Sequence, residues 1–193
     1  AAGDRDNDAR LAFWQLAEAV RGLGDACRAL GIPVTGGNVS LYNESARGRI
    51  EPTPLIGVVG LLDDVAAAIG PAFRAAGDAI LLVGEAGPGL AGSEYARVAG
   101  VAPEDGPPAL DLDLERNLQA FLVEAVARGL VESAQDVSGG GFAVALAEAA
   151  MWSGLGAKVR LHVASSPAVD LFGESPSRVI VSATPRHAAA VEL

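Results

Sequence analysis

Phe13, Leu16, Val20, Leu23, Cys27 and Leu30 recur at alternating spacings of three and four residues. That period puts them on one apolar face and predicts an α-helix. Gly31 stops it, and Pro33 cannot continue it. Residues 32–35 read as a short buried strand leading into a Gly36-Gly37 turn. The apolar run 55–62, bounded by Pro54 and Asp63, reads as a second buried strand. An alanine-rich helical stretch broken by Gly70-Pro71 follows over 63–77. The domain boundary is expected there, dividing the chain into 1–70 and 71–193.

The second part opens with an apolar strand at 79–83 and a glycine-rich loop at 84–92. A short helix at 93–99 takes Ser93 as its N-cap. After a proline-containing loop at 102–109, Leu114, Leu118, Phe121, Leu122 and Ala125 mark a helix over 113–128, stopped by Gly129. A strand at 131–137, a glycine turn at 138–141 and a helix at 142–152 come next. Strands are expected at 157–163 and 178–183, with a helix beginning at 185. Interleaved strands and helices imply an α/β or α+β class.

Composition narrows the function. The chain has 193 residues, enough for one or two domains with a proper core. Half the residues are hydrophobic, which fits a globular protein. A formal net charge of −10 argues against nucleic-acid and anionic-membrane partners. It leaves room for a phosphorylated ligand, which backbone N–H groups or a bound metal can hold. Cys27 is the single cysteine, so no internal disulfide is possible and a reducing cytoplasm fits. Its place in the helical stripe makes it a buried packing residue. No signal peptide is visible, and no apolar run reaches the ~18 residues that would suggest a membrane span. The chain lacks an initiating Met, and residues 1–10 are polar and patternless. A fragment of a longer, cytoplasmic protein is expected.

Two glycine segments are candidates for chemistry. Gly36-Gly37-Asn38-Val39-Ser40 follows an expected strand. Glycines let a backbone approach a ligand closely. Asn38 offers a neutral oxygen for a hard cation such as Mg²⁺, and Ser40 a hydroxyl for a phosphate oxygen. The local pattern alone favours the other reading, a tight turn with a side chain capping the backbone. Asp136-Val137-Ser138-Gly139-Gly140-Gly141 ends a strand and opens a helix, where free N–H groups make an anion site. Asp136 is placed to hold a cation there, or Asp136 or Ser138 caps the helix. Glu174 and Ser175 of Leu171-Phe172-Gly173-Glu174-Ser175-Pro176-Ser177 are further ligand candidates. Gly92-Ser93-Glu94-Tyr95 reads as structural. His162 and His187 lie outside any zinc-ligand spacing.

Together these segments resemble one family. Residues 17–34, Gly37-Asn38-Val39-Ser40-Leu41-Tyr42-Asn43-Glu44 and Pro52-Thr53-Pro54 are similar to the synthetase subunit of phosphoribosylformylglycinamidine synthases, of the PurM-like superfamily. The later motifs come in that family's order. The Tyr-Asn-Glu neighbours and this order shift the Gly36–Ser40 segment from turn to ligand site. The resemblance implies the end of a PurM N-terminal-like α/β domain, then a PurM C-terminal-like mixed sheet flanked by helices. It implies an ATP- and Mg²⁺-dependent ligase of purine biosynthesis. Such a ligase phosphorylates the amide oxygen of formylglycinamide ribonucleotide, and glutamine-derived ammonia then displaces the phosphate. By the same resemblance Gly37 contacts ATP, Asn38 binds Mg²⁺ and Ser40 contacts the substrate. A glutaminase subunit and a small bridging subunit are the implied partners.

Gln135 stands where the family usually has His, and Gly139 where it usually has Asp. Residues 1–10 do not match its asparagine-rich segment. The family's catalytic histidine falls outside this sequence, so the chain alone is expected to be inactive. The alternatives are a non-catalytic assembly or structural-nucleotide half, and a sister synthetase of the same superfamily.

Overall fold

A computed structural model describes residues 2–85, 87, 89–101, 106–161 and 166–191. Parts of the expected loops at 84–92 and 102–109, with His162 and the end of the 157–163 strand, lie outside them. The chain divides into two compact units, Ala1–Leu61 and Leu62–Leu193.

The first unit is dominated by helix α1, Ala2–Leu30, which spans 29 residues and so extends about 43 Å. It starts well before the apolar stripe, so the polar residues expected to be patternless are helical. Ion pairs one turn apart, Glu18 with Arg21 and Asp25 with Arg28, lace its polar side. Gly31 ends it at φ +67°, while the Ile32 N–H donates back to the Cys27 carbonyl at 3.0 Å. This Schellman-type closure uses a glycine in the left-handed region. Cys27 is half-buried rather than buried.

The expected strand at 32–35 is an exposed, unpaired segment. So is the run at 55–62, where Leu55 is 96% and Val59 98% exposed. A strand takes its hydrogen bonds from a neighbouring strand, and none of the described residues supplies one. Among the described residues of this unit, the pairing is a short hairpin, β1 (Glu44–Ser45) with β2 (Gly48–Arg49). Ser45 Oγ closes its turn, accepting from the Arg47 N–H at 3.1 Å and donating to the Gly48 carbonyl at 3.2 Å.

The second unit begins with a 3₁₀ turn, Val65–Ala67, capped by Asp64. This turn is all that forms of the alanine-rich helix expected over 63–77. Then come β3 (Ala79–Val83), α2 (Glu94–Ala99), α3 (Leu112–Ala127), β4 (Ser133–Asp136), α4 (Gly141–Ser153), α5 (Pro167–Phe172), β5 (Val179–Ala183) and α6 (Pro185–Val191). The described part of the 157–163 strand, through Leu161, is unpaired and is not a strand. The sheet order is β3-β5-β4, with both pairings antiparallel. The mixed sheet implied by the resemblance thus appears, among the described residues, through antiparallel pairings only.

Central strand β5 is buried along its whole length, and its side chains alternate between two cores. Val179, Val181 and Ala183 pack with Leu118 and Ala125 of α3 and Val191 of α6. Ile180 packs on the opposite side with Phe73, Val137 and the α4 stripe Phe142, Ala145 and Ala149. Ser182 also faces inward, and its Oγ meets that of Ser133 at 2.6 Å on the neighbouring strand. Each hydroxyl thereby satisfies the other.

Candidate functional site

The candidate residues fall in both units and meet two different fates. In the first unit, residues 36–40 form no turn, and all five are exposed. The expected alternative, a side chain capping a tight turn, is absent: neither Asn38 nor Ser40 bonds to a described residue. A Cβ added at Gly36 or Gly37 would meet nothing within 4 Å, and neither glycine has a positive φ. The internal structure therefore gives no reason for glycine at these two positions. Val39, Leu41 and Tyr42 beside them are 64%, 78% and 84% exposed.

The second unit's glycine turn behaves in the opposite way. Gly140 is the N-cap of α4 at φ +86°, with no capping side chain of its own. Asp136 and Ser138, the expected caps, are exposed instead. Gly141 sits at φ +71°, where a Cβ would lie 2.7 Å from the Phe172 backbone and 2.8 Å from the Gly173 carbonyl oxygen. Here the fold itself excludes a side chain.

The anion position at this turn is filled from within the chain. Glu174 Oε1 accepts from the Gly140 N–H at 2.8 Å and from the Glu94 N–H, at the start of α2, at 2.7 Å. One carboxylate oxygen thus ties together two helix starts, where helix dipoles favour negative charge. Around it, Tyr95 and Phe172 stack with ring centres 4.8 Å apart. Ser93 caps α2, accepting from the Ala96 N–H at 3.1 Å, as the sequence predicts. Ser175 Oγ accepts from the Gly87 N–H at 2.9 Å, and Ser177 Oγ donates to Glu115 Oε2 at 2.7 Å. Ser177 reaches that position at φ +59°. Arg178 is buried beneath the loop and donates to the Gly173 carbonyl. Burial lowers its pKa, and the charge of Asp170 partly restores it. Residues 171–178 are therefore a structural knot, and the expected ligand contacts of Glu174 and Ser175 are spent inside the protein. Both intramolecular partners lie far away in sequence, so no local pattern reveals them.

Among the described residues, no group of three or more His, Cys, Asp or Glu side chains could hold a metal ion. No helix there is long and apolar enough to cross a membrane.

Residues 75–193 match the family described as AIR synthase related protein, C-terminal domain, and residues 3–62 match the corresponding N-terminal domain. The chain is 47% identical over 172 residues to a phosphoribosylformylglycinamidine synthase subunit PurL of Moorella thermoacetica, covering 89% of this chain and 24% of that relative. A PurL subunit from Anaeromyxobacter is 49% identical over 188 residues, covering 92% of this chain and 24% of the relative. The chain thus spans about a quarter of the length of these curated relatives. Among solved structures, Thermotoga maritima PurL complexed with FGAR aligns at a TM-score of 0.55 and 27% identity, covering 66% of this chain and 23% of that one. The same protein complexed with AMPPCP aligns at 0.53 and 26%, covering 66% of this chain and 20% of that one.

Proposed function

This chain belongs to the AIR synthase related family, and on that premise we propose that it is part of a phosphoribosylformylglycinamidine synthase. The reaction is conversion of formylglycinamide ribonucleotide, ATP and glutamine-derived ammonia to the amidine in purine biosynthesis. The observation that carries this reading is 47–49% identity, over about nine-tenths of the chain, to subunits bearing that name. Solved relatives complexed with FGAR and AMPPCP support the substrate and nucleotide classes.

Within the chain, the ligand wall is residues 37–40. Gly37 offers an unobstructed backbone for ATP. Asn38 would contribute a neutral oxygen to Mg²⁺, and a bound Mg²⁺ would neutralise phosphate charge there. One neutral ligand does not make a metal site, so the remaining ligands come from elsewhere in the polypeptide. Ser40 contacts the nucleotide substrate. A segment that is exposed, that bonds to none of the described residues, and whose glycines answer to no contact among them fits a surface built for something outside it. The Glu174 knot, by contrast, holds the shape of the second domain, and the domain break falls near residue 70.

The protein works in the cytoplasm with a glutaminase subunit and a small bridging subunit. The test is an assay of the intact polypeptide with formylglycinamide ribonucleotide, Mg·ATP and ammonia. Amidine formation with phosphate release is expected. ATP turnover with a different acceptor would replace this reading with that of a sister synthetase.

A further inference from the structure

In the first unit, residues 33–42 run between α1 and the β1–β2 hairpin. They form no helix or strand and hydrogen-bond to no described residue. Among the described residues, then, their course is set by the two ends. Upstream, the Gly31 closure of α1 lies nine positions before Ser40. Downstream, the Ile50 N–H donates to the Asn43 carbonyl at 3.4 Å, at the base of the hairpin. Asn43 lies three positions after Ser40, a reach of at most about 11 Å. The hairpin is thus the nearer anchor.

A two-stranded hairpin is marginal on its own, so its turn decides how firmly it closes. Ala46 and Arg47 link the paired residues Ser45 and Gly48, and neither has a positive φ. The turn therefore lacks the primed geometry that matches strand twist across a two-residue link. Two features compensate. Gly48 takes φ +112°, which other side chains disfavour. Ser45 Oγ spans the turn, accepting from the Arg47 N–H at 3.1 Å and donating to the Gly48 carbonyl at 3.2 Å. A hydroxyl placed in this way mimics a backbone turn. Alanine can make neither bond, whereas threonine can make both.

We propose that Ser45 is a positioning residue for the ligand wall at residues 37–40: its hydroxyl clasps the hairpin, and the hairpin fixes where Ser40 meets the substrate. This rests on the ligase reading of those residues and adds to it a side chain that touches no ligand. The effect fades with distance along the chain. Ser40, three positions from Asn43, loses its place first, and Gly37, six positions away, is moved least.

The test is steady-state kinetics of Ser45→Ala and Ser45→Thr in the intact protein, with formylglycinamide ribonucleotide, Mg·ATP and ammonia, and the melting temperature recorded beside them. Ser45→Ala should raise KM for formylglycinamide ribonucleotide about three- to tenfold, the worth of an ordinary hydrogen bond, with kcat little changed. KM for ATP should rise less. Ser45→Thr should restore the wild-type KM. A merely structural role would lower the melting temperature and the apparent kcat and leave both KM values in place. That result would overturn the proposal, as would an unchanged KM in Ser45→Ala or an equal rise in Ser45→Thr. In each of these cases the wild-type protein still makes the amidine, so the ligase reading stands. A wild-type protein inactive toward formylglycinamide ribonucleotide would overturn that reading and this proposal with it.

Discussion

Val59 and Val181 are the same residue in two apolar runs of similar composition, yet Val59 is 98% exposed and Val181 is fully buried. The difference lies in the neighbours. Val181 lies on β5, which is hydrogen-bonded on both sides and covered on both faces. The run at 55–62 has no described strand beside it. An apolar pattern specifies a surface that needs covering, and a strand exists only once partners provide its hydrogen bonds. The same contrast separates the two glycine segments. Gly141 is demanded by the backbone of Phe172, whereas Gly37 is demanded by nothing among the described residues.

The largest expected effects test that contrast in burial. Ile180→Ala should lower stability by about 2–5 kcal/mol in a denaturant titration, because Ile180 is 1% exposed. Val59→Ala should cost under about 0.5 kcal/mol in this chain. In a polypeptide of the relatives' length it should cost more than about 1 kcal/mol, since the missing partners would then cover it. Equal costs in the two lengths would break the comparison.

Next in size is Glu174→Ala. It removes a carboxylate that accepts two backbone N–H bonds. Bonds to charged groups contribute about 1.5–3 kcal/mol each; two of them, discounted because Glu174 is only half-buried, give an expected loss of about 2–4 kcal/mol, with faster amide exchange at Glu94 and Gly140. Unchanged exchange at both amides would contradict the knot. Gly141→Ala should cost about 1–3 kcal/mol through its positive φ and the Phe172 contact, while Gly37→Ala should leave the unfolding midpoint in place.

The smallest effect concerns pH. A hydrogen bond from Arg97, together with its charge, holds Glu94 below its usual value. A depressed carboxylate adds stability above its unfolded pKa of about 4.3 and loses it as pH falls through the lower folded value. Amide protection of α2 should therefore decline slightly on acidification below about pH 4. The exposure of the pair keeps the change small.

Much of the second unit is legible in the sequence because its signals are local. The strand at 79–83 is found with its predicted bounds, and the stripes of α3 and α4 face the two cores. The first unit is legible only as a helix, since its strands depend on neighbours that periodicity cannot supply. The Glu174 knot escaped local reading because its bonds span 80 and 34 residues of sequence.

The central claim is that residues 37–40 serve a ligand and not the fold. The most direct test is Ser40→Ala in the intact protein, reading the affinity for formylglycinamide ribonucleotide and the unfolding midpoint together. The expected result is affinity weakened about tenfold or more with the midpoint unchanged. Unchanged affinity, or a loss of stability in its place, would contradict the account.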